Sequence, residues 1–243
     1  PRHYAAETSN VPPPRALAGL LRPGLRVAEV PSGTGHFLPA YATAGAEITL
    51  IDTCPDMLRA ARRHAAAAGV DPVMICAPIQ DLTAQTPPFD LVVVPNAALN
   101  QLAADTDVAE LLATVARQLR PGGKLLAQVL DPVGDRACGF YDPALSDGIW
   151  HVDRRFADET GRPLVRRRRQ QHSSGLVGID FELHRDGDLL YRHHVVLRPL
   201  TATVLQAALG AAGCTELSVP PGPEPSGSGL VELLAARSGW SPQ

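Results

Sequence analysis

The stretch Arg26-Val27-Ala28-Glu29-Val30-Pro31-Ser32-Gly33-Thr34-Gly35-His36-Phe37 decides the fold. An apolar run ends in a carboxylate, a turn of small residues follows, and helical spacing resumes behind it: a strand, a tight loop and a helix start. Glycine at 33 and 35 lets the backbone approach a ligand where a Cβ would collide, and the free N–H groups of a helix N-terminus suit an anionic end of that ligand. A nicotinamide dinucleotide site needs a third glycine three residues after Gly35. Leu38 stands there, so that fingerprint fails. The next apolar run ends at Asp52, where a carboxylate can accept both hydroxyls of a ribose.

Outward from this turn, residues 12 to about 130 alternate short apolar runs with helical periodicity, the signature of βα units on a mostly parallel sheet. Strands are expected at 25–30, 47–52, 72–77, 89–95 and 123–130. Pro55 in a first turn, Met57, Ala61, Ala65 and Ala68 on one face, and a closing Gly69 predict a helix after the second strand. Asp107 and Glu110 have capping-box spacing ahead of Val108, Leu111, Leu112, Val115 and Leu119, and Pro121-Gly122-Gly123 stops that helix. Beyond 131 a loop-rich stretch carries Gly139-Phe140-Tyr141 and Trp150-His151. Three alternating strands follow at 164–172, 176–185 and 189–198, the last two joined by the hairpin signal Asp186-Gly187-Asp188. A helix at 201–212, strands at 214–219 and 229–236, and a Pro/Gly/Ser-rich surface loop at 220–229 complete the chain. The expected organisation is a doubly wound α/β core at 1–130 and 200–243, interrupted by an antiparallel β insertion at 131–199.

Composition bounds the function classes. A chain of 243 residues suits one domain with an elaborate insertion, and 45% apolar against 19% charged residues supports a sizeable core. With 22 basic and 25 acidic residues the net charge is −3, so no nucleic-acid partner held by charge alone is expected. No run approaches the ~18 apolar residues of a membrane span, and the N-terminus lacks the charged head and apolar run of a signal peptide. No membrane partner and a cytoplasmic location are therefore expected. Cys54, Cys76, Cys138 and Cys214 show neither CxxC spacing nor clustered histidines, which predicts buried thiols and no metal. The chain begins at Pro1 without an initiator Met, which leaves room for a native segment before it.

At these residues the chain resembles the class I S-adenosylmethionine-dependent methyltransferases. Residues 29–35 match the family's glycine turn and Asp52 its ribose-binding acid. Asp52-Thr53-Cys54-Pro55-Asp56-Met57-Leu58 matches the continuation of that segment, Phe89-Asp90-Leu91-Val92-Val93-Val94 the fourth strand, and Leu119-Arg120-Pro121-Gly122-Gly123-Lys124-Leu125 the approach to the fifth. These segments lie within residues 25–130, a little under half the chain. The resemblance implies a Rossmann-like, seven-stranded sheet with antiparallel last strands and S-adenosyl-L-methionine as cofactor. It also implies cofactor contacts from Glu29, Pro31, Gly33, Gly35, Asp52, Thr53, Met57, Gln80, Asp81 and Asn96. Two departures bear on the site. Pro31 replaces the family's first glycine, which keeps a turn but removes an N–H. Ala77-Pro78 replaces the common Gly-Asp after the third strand, leaving Asp81 or the backbone near Ile79 and Gln80 for the adenine amino group. Pro95-Asn96-Ala97-Ala98-Leu99-Asn100-Gln101-Leu102 lacks the Pro-Pro-aromatic ending of enzymes that methylate nucleobase or amide nitrogens. It is closer to the small-molecule branch containing glycine N-methyltransferase and amino-sugar N-methyltransferases.

Methyl transfer from a sulfonium is an in-line displacement with a neutral leaving group, so alignment and exclusion of water are the main demands. A neutral amine acceptor needs no base, whereas an alcohol, phenol or carbon acceptor does. The lack of a base motif leans toward nitrogen while N-, O- and C-methylation all stay open. His36, Asn96 and His151 are candidate catalytic groups, with packing or a hydrogen bond as the competing role of His36. Four consecutive arginines on a strand send two guanidinium groups to each face. Arg166 and Arg168 are candidates for substrate recognition, and solvated charge is the alternative. Tyr141, Trp150 and His151 are candidates for a substrate lid, with simple packing as the alternative. The expected partner is a small-molecule acceptor of specialised metabolite biosynthesis, and a homodimer is left open. The rivals are an RNA or protein methyltransferase and a noncatalytic S-adenosylmethionine-binding protein.

Overall fold

The computed structural model describes residues 12–82, 88–130, 141–158, 160–217 and 230–239. The start of the insertion at 131–140 and the loop at 220–229 lie outside these residues. In chain order the elements are α1 (Arg15–Leu20), β1 (Arg26–Glu29), α2 (Leu38–Thr43), β2 (Glu47–Ile51), α3 (Pro55–Ala67), β3 (Val73–Ile75), β4 (Phe89–Val94), α4 (Ala98–Leu102), α5 (Val108–Gln118) and β5 (Leu119–Val129). The insertion strands β6 (His151–Ala157), β7 (Pro163–Ser173), β8 (Leu176–Arg185) and β9 (Asp188–Leu197) follow, then α6 (Ala202–Ala211), β10 (Cys214–Leu217) and β11 (Val231–Arg237).

The core sheet has the order β10-β11-β5-β4-β1-β2-β3. Strands β1 to β5 are parallel, and β11 runs antiparallel to both β5 and β10. From Leu91 to Val94, β4 reads as an apolar run because helices cover both faces of the sheet. Leu17, Phe37, Leu38, Tyr41 and Leu58 from α1 to α3 pack on one side, and Leu111, Leu112, Val115, Leu205 and Leu209 from α5 and α6 on the other. The Asp107 carboxylate caps α5 by accepting from the N–H groups of Ala109 and Glu110 at 2.9 and 3.2 Å.

Three elements and the thiols depart from expectation. The helix after the glycine turn begins only at Leu38 and is six residues long, so a turn, not a helix N-terminus, faces the ligand region. β5 begins at Leu119 and takes in Pro121-Gly122-Gly123, with a register shift against β4. A Cβ on Gly123 would lie 2.9 Å from the carbonyl oxygens of Phe89 and Arg120, so glycine there serves close strand contact as well as a stop signal. β6 arises where a loop is expected, making the insertion a four-stranded sheet, β6-β7-β8-β9. The thiols are not uniformly buried: Cys214 is, Cys54 is half-buried and Cys76, on edge strand β3's exit, is exposed.

The insertion sits on the carboxyl ends of the central strands. Val177, Ile179, Phe181 and Leu197 pack with Ala97 and Leu130, the residues that follow β4 and β5. The fully buried Asn100 clamps the junction. Its Oδ1 accepts from Leu130 N–H at 2.9 Å, and its Nδ2 donates to the carbonyls of Leu130 at 3.2 Å and Arg198 at 2.9 Å. Arg198 returns a backbone N–H to Asn100 O at 2.9 Å and its Nε to Ala103 O at 2.7 Å.

Candidate active site

Strand order reverses between β1 and β4, and ligands of open α/β sheets bind outside the carboxyl ends at such a point. After Glu29 the chain turns through a cis Val30–Pro31 bond, and Gly33 and Gly35 take positive φ of 52° and 72°. Asp52, at the exit of β2, holds this turn: Oδ2 accepts from Gly33 N–H at 2.7 Å and Oδ1 from Cys54 N–H at 2.8 Å. Each carboxylate oxygen keeps a second lone pair, so the same side chain can still accept ribose hydroxyls. This double duty is invisible in sequence spacing. Gly35 also has a packing reason: a Cβ there would meet Leu38 Cδ1 at 2.5 Å and Ala61 Cβ at 3.3 Å. The seating of α2 on α3 thus requires glycine beside any part it takes in holding a ligand.

Glu29 is 1% exposed, and its Oε2 has no hydrogen-bond partner. Burial pushes its carboxyl up to about 8; the Tyr41 hydroxyl opposes this and the Asp52 charge adds to it. Tyr41, equally buried, is pushed up by burial first and then by Glu29. A sealed carboxyl with an orphan oxygen beneath a glycine turn fits a cationic group, which the ammonium of S-adenosylmethionine supplies. Thr53 is exposed and Met57 half-buried where α3 starts, and Gln80 and Asp81 are exposed in a 3-10 turn after β3. All four lie at the same edge as Asp52. His36 is half-buried within the turn, its ring 5.2 Å from that of Phe37, and does not open a helix.

After β4, Asn96 and Ala97 both adopt left-handed backbone, φ 53° and 55°. Non-glycine residues pay about 1–2 kcal/mol each for this conformation. Gln128 on β5 holds them, its Oε1 accepting from Asn96 N–H at 3.2 Å and its backbone carbonyl from Ala97 N–H at 3.0 Å. Strain fixed at the exit of a central strand points to function. Gln128 and Asn100 escaped the sequence reading. Each is a polar residue inside an apolar segment, which was the available signal.

The insertion has two unlike faces. Directly paired residues of an antiparallel sheet share a face, so His151, Arg168, Phe181 and His193 form one row across all four strands. Phe181 ties this row to Ala97 and Leu130, so it faces the core. Arg168 is 6% exposed, and Arg166 forks onto the buried Asp153 with Nη2–Oδ2 at 2.8 Å, its guanidinium 4.9 Å from the Phe181 ring centre. Phe181 stacks on His193 at 4.8 Å, and His193 on Tyr191 at 5.6 Å. His151 Nε2 is buried on this face without a hydrogen-bond partner. On the outer face, Arg169 pairs with Asp180 at 2.6 Å and Arg192 with Glu182. Trp150 lies there too, 5.6, 5.0 and 5.8 Å from the guanidinium groups of Arg167, Arg169 and Arg192. Trp150 is thus part of an outer cation–π ladder and not of the inner wall, which corrects its placement as a lid residue. Tyr141 packs against the inner cluster, and its hydroxyl lies 3.0 Å from His172 Nε2.

Residues 27–123 match the methyltransferase domain family. The chain is 33% identical over 109 residues to the ubiquinone biosynthesis O-methyltransferase of Xylella fastidiosa (strain 9a5c), covering 44% of this chain and 43% of that protein. The corresponding protein of Xanthomonas campestris pv. campestris (strain B100) is 32% identical over 110 residues, 45% and 44% of the two chains. The chain therefore matches less than half the length of these curated relatives. Solved structures extend the likeness to the whole fold. The CcbJ methyltransferase of Streptomyces caelestis superposes with a TM-score of 0.75 at 17% identity over 96% of both chains. A sugar N-methyltransferase of Streptoalloteichus sp. does so with 0.67 at 24% identity, over 97% of this chain and 88% of that one. Residues 27–123 thus carry the likeness to a methyltransferase domain, and the chain as a whole shares the fold of solved methyltransferases.

Proposed function

We propose that the protein transfers a methyl group from S-adenosylmethionine to a small-molecule acceptor enclosed between the exits of β4 and β5 and the inner face of the insertion. The observation that carries this reading is the contact of Val177, Ile179 and Phe181 with Ala97 and Leu130, which supports a water-excluding wall over the exits of β4 and β5. Bound there, the cofactor supplies an electrophilic methyl on a sulfonium. Asp52 takes the ribose hydroxyls, Glu29 the ammonium, and Gly33, Thr53, Met57, Gln80, Asp81 and Asn96 line the remainder. The insertion aligns the acceptor and excludes water. A polyanionic or protein substrate is disfavoured because Arg169 and Arg192 on the outer face are matched by Asp180 and Glu182. Specialised metabolites are the proposed acceptor class. A solved structure of similar fold is an amino pentose methyltransferase of Micromonospora echinaspora involved in calicheamicin biosynthesis.

Calorimetry should show binding of S-adenosylmethionine and its demethylated product and none of NAD. Labelled methyl should appear in a metabolite extract. Binding of NAD alone, or label only in an RNA pool or a protein extract, would sink this function.

A further inference from the structure

The inner row of the insertion carries more chemistry than a wall requires. An imidazole nitrogen sealed from water without a partner is costly to keep, so a ligand group is its natural complement. We propose that His151 Nε2 is the base that takes a proton from the acceptor, and that the acceptor is a hydroxyl compound of the phenol or enol class whose oxygen sits beside Arg168.

Three observations on one face converge on that chemistry. His151 Nε2 is buried and unpartnered, and its cross-strand neighbour is the buried Arg168. A cation beside a hydroxyl favours its oxyanion and disfavours an ammonium. The row continues into the mutually stacked rings of Phe181, His193 and Tyr191, an aromatic wall against which an aromatic group can pack. Among the described residues the other charged groups on this face are Arg166, which pairs with Asp153, and Arg154, whose guanidinium lies 5.4 Å from the Phe156 ring centre. An alkylamine arrives protonated, meets arginine and has no flat face to stack. A phenol satisfies all three features.

His151 Nε2 accepts the O–H proton while the acceptor oxygen attacks the methyl carbon. The electron pair of the breaking C–S bond stays on sulfur as a neutral thioether, and the imidazolium returns its proton to water on product release. The sequence leaned toward nitrogen because no base motif is visible in it. His151 stands among the catalytic candidates in the sequence, and strand pairing adds its place beside Arg168 on a strand the sequence did not disclose.

This inference rests on the methyltransferase reading, and calorimetry separates the two: a wild-type protein that fails to bind S-adenosylmethionine defeats that reading, not the acceptor assignment. With cofactor bound, labelled methyl is offered to catechol, 4-nitrocatechol and 2-naphthol, and to benzylamine and N-methylbenzylamine. Label on the phenolic oxygen is expected. His151→Gln and His151→Ala should lower kcat ~100-fold or more at unchanged cofactor affinity, and should lose the acidic limb of the kcat–pH profile. Transfer to the amines, no transfer to any hydroxyl probe, or a kcat within threefold of wild type in a folded His151 variant overturns the proposal.

Discussion

Glu29 makes the stability of the cofactor-free protein fall as the medium becomes alkaline. Its carboxyl ordinarily titrates at 4.5, and burial carries it to about 8 in the fold. The folded state therefore holds the proton more tightly than the unfolded chain, so the stabilisation is complete below pH 4.5 and is lost as pH rises to about 8. At ~1.4 kcal/mol per pH unit the full loss across that window reaches a ceiling of about 5 kcal/mol, a large share of the ~5–15 kcal/mol of a typical domain. Asp52 adds to the penalty and the Tyr41 hydroxyl reduces it, so both must be left in place. Glu29→Gln keeps the shape and removes the titration. Urea denaturation of both proteins without cofactor, at half-unit steps from pH 4 to 9, isolates Glu29 because all other titrating groups cancel in the difference. Wild type should lose stability relative to the variant by roughly 1 kcal/mol per pH unit between pH 5 and 8, with level differences outside. Parallel curves through that window would refute the buried, protonated carboxyl. Under the proposed function, saturating cofactor should flatten the slope, since an ammonium beside Glu29 favours its ionised form.

Asp52→Ala should weaken cofactor binding by about tenfold or more and also destabilise the fold by ~2–4 kcal/mol, because the N–H groups of Gly33 and Cys54 lose their charged acceptors. Calorimetry paired with denaturation checks both, and unchanged values would remove both roles. Asn100→Ala should cost ~2–4 kcal/mol and speed amide exchange in β8 and β9, since it strips three hydrogen bonds from the seat of the insertion. Wild-type exchange there would show that the apolar cluster holds the insertion unaided. Gly35→Val should lower the denaturation midpoint through its clash with Leu38 and its positive φ. A midpoint equal to wild type with cofactor binding abolished would make direct ligand contact, not packing, the reason for this glycine.

Much of the core was legible in the sequence because its physics is local. β4 is buried on both faces and reads as an apolar run, α3 carries Pro55 at its start and Gly69 just past its end, and α5 carries its own cap at Asp107. The short helices α2 and α4 were not legible as such. α2 is delayed by the turn at 33–37, and α4 follows two left-handed residues that only Gln128 and the burial of Ala97 sustain. Those supports come from strands far along the chain, and no local pattern encodes them.

The insertion hid for a reason that itself bears on function. Residues 151–157, His-Val-Asp-Arg-Arg-Phe-Ala, show no apolar alternation, because the inner face they join carries charge: Asp153 meets Arg166 in the interior, and β7 turns Leu164, Arg166, Arg168 and Gln170 inward. A sheet selected only for stability would place valine or leucine at such positions, since a buried ion pair roughly offsets its own desolvation at best. Outward, the same strand shows Arg167 and Arg169 over Trp150, which is the arrangement a solvated face needs. The buried polar residues of β7, Arg166, Arg168 and Gln170, therefore lie on the side that faces the exits of β4 and β5, while the outer face buries one carboxylate, Glu182, under Arg192. Polar residues retained where packing alone would exclude them mark the surface on which a fold gives up stability for chemistry.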